Sequence, residues 1–212
     1  MISFDPTAFP IVRCPAASLE VGLFPVTRTQ FDFFLGARSE FDPAALAEIT
    51  EAAPRASWRT IPPESPEGVF LTAIRAEEAE QFARWLGGGF RLATDAEWRA
   101  IDAAIGGWPN VRLLRDLLAD VRMHPAARAI LNWSLARQPA TWRTASLFED
   151  GLLEWVRRAS GAYGLQGRPR PTLIRLVHNP QAHEAVTPRT AARHPAFGFR
   201  IVRPWAPNPQ VP

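Results

Sequence analysis

The chain of 212 residues has no lysine, one cysteine (Cys14) and one tyrosine (Tyr163). A single cysteine excludes an intrachain disulfide, a redox pair and a four-cysteine zinc site, and it fits a reducing compartment. All 24 basic residues are arginine and face 21 acids, so a pI near 10.2 accompanies a net charge of only +3. Acids nearly balance arginine until the C-terminal third, which is not the strong clustered excess of a nucleic-acid-binding surface. The lysine-free, Ala-, Arg- and Pro-rich composition reads as the imprint of a GC-rich bacterial genome. No run of about 18 apolar residues occurs, and the N-terminus, MISFDPTAFP, lacks a basic region followed by an apolar one. The expectation is a soluble, cytoplasmic protein.

Apolar residues make up 47% of the chain, enough for a core without disulfides or a structural metal and too many for a disordered polymer. One domain over residues 1–205 is expected, followed by a flexible proline-rich tail at 206–212.

Hydrophobic spacing places a short helix over Val26–Leu35, opened by a threonine able to cap it and carrying Phe31, Phe34 and Leu35 on one face. A polar helical patch spans Ala44–Ala52. The four prolines between Ala53 and Gly68 predict a surface loop, ending at a strand over Val69–Leu71. Arg75–Leu86 has acids in its first turn and Ala79, Phe82, Ala83 and Leu86 at helical spacing, and three glycines stop it. Thr94 caps a further helix, DAEWRAIDAAI. LLRDLLADVR and AARAILNWSL read as helical on either side of Pro125. Strands are expected at Leu153–Val156, Leu173–Val177 and Gly198–Val202, with a long loop over Ser160–Pro171.

Three landmarks carry a family resemblance that runs from about Val21 to Arg203. PVTRTQFDFFL, Pro25–Leu35, resembles the entry helix of the formylglycine-generating-enzyme (sulfatase-modifying-factor) family. AEEAEQFARWLGGGFRLATDAEW, Ala76–Trp98, resembles that family's helix ending in W-L and its signature R-L-P-T-E-A-E-W, with Arg91, Leu92, Thr94, Ala96, Glu97 and Trp98 matching. DGLLEW, Asp150–Trp155, stands where the family has G-N-V-W-E-W, and RTAARHPAFGFRIVR, Arg189–Arg203, resembles its R-x-x-x-R and terminal G-F-R strand. The resemblance implies a single α+β, C-type-lectin-like domain with short strands, a few helices and much irregular loop. Independently, Trp98 and Trp155 are suited to anchor a core, each indole N–H finding a carbonyl. Arg91, Glu97, Glu154 and Arg200 are suited to buried charge-assisted hydrogen bonds.

The chemistry of that family is missing. Its enzymes oxidise a substrate cysteine with two cysteines that bind copper, and Cu(I) requires soft thiolates. The corresponding stretch here, Arg175 to Glu184, holds no cysteine, and both glycines of the family's R-G-G-S-W motif are replaced, by Leu176 and Val177. Gly151 replaces the asparagine of the calcium loop. The related sulfoxide synthases use three histidines from a separate helical domain, which this chain is too short to contain. Among His124, His178, His183 and His194, only the pair His178 and His183 with Glu184 suggests metal ligands, and its spacing aligns on neither helix nor strand. GGG at Gly87 follows a helix instead of leading into one, the wrong context for phosphate.

The functional expectation is a noncatalytic binding or protein-interaction module, a pseudoenzyme with no cofactor. Its surface is expected between Asn132 and His194, where Trp133, Trp142, Tyr163, Arg168, Arg170, His178, His183 and Arg189 supply the aromatic and arginine side chains typical of interface hot spots. The expected partner is another protein, with a nucleic acid or anionic ligand as the second choice, and no membrane. The competing readings are a metal-dependent oxidase with histidine ligands and a diversity-generating-retroelement variable binding protein. A subunit of a bacterial conflict or signalling assembly is a form of the binding reading.

Overall fold

The computed structural model describes residues 2–37, 43–44, 47, 70–104, 111–136, 152–167, 193 and 197–205. Among them the chain opens with three strands, β1 (Ile2–Phe4), β2 (Pro10–Cys14) and β3 (Leu19–Gly22). Two helices follow, α1 (Arg28–Ala37) and α2 (Ala76–Leu86), then the short strand β4 (Arg91–Leu92). Helices α3 (Asp95–Ala104), α4 (Val111–Leu118) and α5 (Pro125–Ala136) lead to β5 (Leu153–Arg157) and β6 (Tyr163–Gly167). The chain ends with β7 (Phe197–Phe199) and β8 (Ile201–Pro204). No described helix is long and apolar enough to cross a membrane.

The strands form two open sheets. The larger has the order β1-β2-β3-β8-β4 with every pair antiparallel, and the smaller has the order β6-β5-β7 with β5 and β7 parallel. Register explains how one sheet serves two cores, because successive side chains point to opposite faces. Val12 pairs with Val21, and Val21 with Val202; these side chains, with Cys14 and Leu19, join Trp98, Ile101, Leu114, Leu117, Ile130 and Leu131 in one hydrophobic cluster. The alternate positions Ile11, Ile201 and Leu92 join Phe31, Phe34, Phe82, Trp155 and Phe199 in the other. Thus α3, α4 and α5 cover one face, while α1, α2 and the small sheet cover the other.

The helix starts carry the landmark residues for a local reason. Thr27 and Gln30 form a reciprocal capping box: the Thr27 N–H donates to Gln30 Oε1 at 2.9 Å and the Gln30 N–H to Thr27 Oγ1 at 3.2 Å. Thr94 and Glu97 repeat it at 2.8 and 3.2 Å. At α2 the Arg75 N–H donates to Glu78 Oε2 at 2.9 Å. Each of these third-position side chains also bonds elsewhere in the chain: Gln30 to Asp5, Glu97 to Arg91 and Glu78 to Arg193. The starts of α1 and α2 are thereby tied to distant segments, and that of α3 to the neighbouring β4.

Several expectations need correction. The helix at Val26–Leu35 runs instead from Arg28 to Ala37. Phe70 forms an isolated bridge with Thr27, not part of a strand. The expected loop Ser160–Pro171 contains β6, which pairs with β5 through a turn at Arg158–Gly161 closed by the Gly161 N–H on the Arg158 carbonyl at 2.9 Å. Gly161 takes φ +82 there, a conformation glycine adopts without steric penalty. The expected single strand Gly198–Val202 is broken at Arg200, with β7 in the small sheet and β8 in the large one. The N-terminal strands β1, β2 and β3 have no counterpart among the expected elements. Most of Ala44–Ala52, the Ala53–Gly68 loop and the strand at Leu173–Val177 lie outside the described residues.

Candidate functional site

Arg200, at the break between the sheets, sits in a wholly buried network. Its Nη2 donates to Glu154 Oε1 at 3.0 Å, and its Nη1 donates to the carbonyls of Gly22 and Leu23, both at 2.8 Å. Trp98 Nε1 donates to Glu154 Oε2 at 3.1 Å, so this indole finds a carboxylate and not the expected carbonyl. Trp155 Nε1 does reach a carbonyl, that of Ile74, at 2.8 Å. A buried ion pair needs such full satisfaction, because the desolvation of both charges otherwise exceeds their attraction. The four residues are shut away from ligand, and their role is to hold β5, α3, β3 and the terminal strands together.

Of the eight residues expected to bind, the structure describes Trp133 and Tyr163. Neither is fully exposed. Trp133 lies on α5 and packs against the cluster under α3, α4 and α5, whereas Tyr163 starts β6 and packs against the opposite cluster. The two are therefore not brought together. Trp142, Arg168, Arg170, His178, His183 and Arg189 lie outside the described residues, as do His194 and Glu184.

Tyr163 belongs to a half-buried polar cluster that joins α2 to the β5–β6 hairpin. Its hydroxyl donates to Glu80 Oε2 at 2.8 Å and accepts from Arg157 Nη2 at 3.0 Å. The Arg157 guanidinium lies 4.1 Å from the Tyr163 ring centroid and donates to both Glu80 oxygens. Burial pushes the Tyr163 phenol up to about 12, and the Glu80 carboxylate adds to it. Burial alone would raise Glu80, but hydrogen bonds from Arg157 and Tyr163 hold its carboxyl below the usual value. The sequence indicated Tyr163 but not its partners: Glu80 and Arg157 are 77 positions apart, and no local pattern links them.

The flanks of the undescribed segment 168–192 are fixed at one end of the small sheet. Gly167 and Phe197 pair with Leu153 from opposite sides of β5, which places the two about 10 Å apart at ordinary strand spacing. Arg193 is anchored just before β7. Its Nη1 donates to the Ala73 carbonyl at 3.0 Å and its Nη2 to Glu78 Oε1 at 2.7 Å, with both charged side chains largely out of water. Ala73 is a buried alanine at φ +58, a strained conformation that this contact helps to hold.

Cys14 tests the copper chemistry that the resemblance implies. It has no exposed surface, lies on the inner face of β2, and has its thiol pushed up by burial despite the nearby Ala17 and Ala16 amides. A copper site needs two accessible thiolates, and this chain has one thiol, locked in a core; the residues do not fit the metal. Among the described residues no group of three or more His, Cys, Asp or Glu side chains is placed to hold a metal ion. A small part-open cavity of about 10 Å³, room for one water, lies beside Asp5 and Gln30. Comparison with family models, with curated proteins and with solved structures found no match to this chain.

Proposed function

We propose that the chain is a noncatalytic, cytoplasmic protein-interaction module on a formylglycine-generating-enzyme-like, C-type-lectin-like scaffold. The observation that carries this reading is the division of labour among the landmark residues. Thr27, Gln30, Arg91, Thr94, Glu97, Trp98, Glu154 and Arg200 all serve helix caps or internal ties, while the one cysteine is an inert core residue. Landmark residues that serve the core, beside a thiol that is out of reach, favour binding over thiol chemistry in this reading.

The recognition surface in this reading lies between Asn132 and His194, and its proposed contacts include Trp142 and the stretch 168–192. That stretch contains four arginines and one glutamate, so it carries a charge of +3, equal to that of the whole chain. It also contains Leu173, Ile174, Leu176 and Val177, and arginine beside aliphatic side chains suits a protein surface with acidic and apolar patches better than a phosphate backbone. The test is chemical. A cysteine-bearing peptide is incubated with the protein, copper and oxygen and followed by mass. The reading expects an unchanged peptide and no copper retained on desalting; oxygen-dependent conversion of the thiol to an aldehyde, with release of sulfide and only when the protein is present, would replace it with an oxidase.

A further inference from the structure

His124 occupies a position where its protonation state decides whether a helix is capped. It precedes Pro125, the first residue of α5, and proline biases the preceding residue toward the extended conformation that a cap residue adopts. Its Nδ1 accepts the Ala126 N–H at 3.1 Å. The Nδ1 atom must then carry no proton, which assigns the neutral imidazole with its hydrogen on Nε2.

The same residue joins three parts of the fold. Its backbone N–H donates to the Ala8 carbonyl at 2.9 Å, in a turn where Ala8 takes φ +64, and its carbonyl accepts the Arg128 N–H at 3.0 Å, the opening bond of α5. Its ring stacks on Phe9 at 5.3 Å and meets Phe33 of α1 edge-on at 5.7 Å. Phe33 is 46% exposed, so aromatic surface already reaches solvent at this junction. The ionisable groups on the surrounding elements are mostly engaged with one another. Arg28 pairs with Asp32 on α1, Arg122 with Asp120 before α5, and Arg128 with the carbonyls of Leu118 and Asp120. Asp5, on the β1–β2 turn, is the carboxylate whose charge acts on the imidazole.

We propose that His124 is an acid-sensitive cap: a proton taken from solvent onto Nδ1 turns the acceptor into a donor facing the Ala126 N–H, and the first turn of α5 loosens together with the Ala8–Phe9 turn. The positive charge at a helix N-terminus adds to the effect, because the macrodipole is unfavourable to a cation there. Burial pushes the imidazole below its ordinary 6.5, with Asp5 opposing. The sign follows. The native ring stays neutral where the unfolded one is charged, so the stability it contributes is complete above about pH 6.5 and is lost as the pH falls through the lowered native value. Loosening exposes more of Phe9 and Phe33, which gives the protein an aromatic patch that grows in acid.

The experiment compares the full-length protein with His124→Asn, whose amide can accept the same hydrogen bond at every pH. Protection of the Ala126 amide against hydrogen exchange is measured at pH 7.5 and at successively lower pH until the parent's imidazole nitrogen shifts show His124 protonated. The proposal expects the protection factor to fall about fivefold or more in the parent, the size of one lost cap, and to stay constant in His124→Asn. Equal behaviour of the two proteins overturns it. Imidazole nitrogen shifts of the parent give a second reading that needs no variant: an unprotonated Nδ1 at pH 7.5 is expected, and a hydrogen on Nδ1 there overturns the proposal.

Discussion

Arg200 Nη2 lies 3.0 Å from Glu154 Oε1, and the two side chains expose only 1% and 4% of their surface. The pair ties the residue at which the chain passes from the small sheet to the large one to the second residue of β5. Removing one partner strands a buried charge, so Glu154→Gln is expected to destabilise the protein by about 3–5 kcal/mol. Arg200→Met should lose more, because it also takes the donor from the buried Gly22 and Leu23 carbonyls. Urea unfolding of the two variants checks the ordering, and either variant as stable as the parent would contradict it.

The α1 cap offers a graded test. Thr27→Ala removes one capping side chain and is expected to cost about 1 kcal/mol. Gln30→Ala should cost more, because Gln30 Nε2 also donates to Asp5 Oδ2 at 2.8 Å in a buried setting, and its loss leaves that carboxylate without a partner for one oxygen. Burial already raises Asp5 above the usual carboxylate range against the hydrogen bonds from Thr7, Phe9 and Gln30. Denaturation midpoints in the order parent, Thr27→Ala, Gln30→Ala are the expected outcome.

Tyr163 is the only tyrosine in the chain, so the ultraviolet titration of phenolate reports this side chain alone. The midpoint is expected at about 12 in the folded protein, and it should move toward the ordinary value of about 10 in Glu80→Gln. Because the native phenol stays neutral above the pH at which the unfolded one ionises, its contribution to stability is complete below about pH 10 and is lost as the pH rises toward 12. An ordinary midpoint in the parent would mean that the Glu80–Arg157–Tyr163 cluster does not form in solution.

How much of this was legible depended on the range of the signal. The α2 and α3 helices were readable because acids, apolar spacing, glycine stops and the Thr94–Glu97 box all lie within one short window. The strands β1 to β3 escaped because three to five residues of mixed polarity, such as ISF or LEVG, acquire meaning only when paired. Arg200 looked like a strand residue because Phe199 and Ile201 flank it, and only the tertiary network shows that the chain changes sheets there. Residue type points to charge-assisted hydrogen bonds at Arg91, Glu97, Glu154 and Arg200 but not to who pairs with whom, and of the two pairs formed only Glu154–Arg200 is buried, Arg91–Glu97 being partly exposed. The link of Arg157 to Glu80, across 77 positions, has no local trace.

Affinity capture puts the interaction reading at greatest risk. The tagged full-length protein is compared with a variant carrying Trp142→Ala, Arg170→Ala, His178→Ala and Arg189→Ala, after both are shown to unfold at the same temperature. The account predicts one protein captured stoichiometrically by the parent in moderate salt and lost with the variant. Equal capture by both proteins, or capture of nucleic acid in place of a protein, would contradict it.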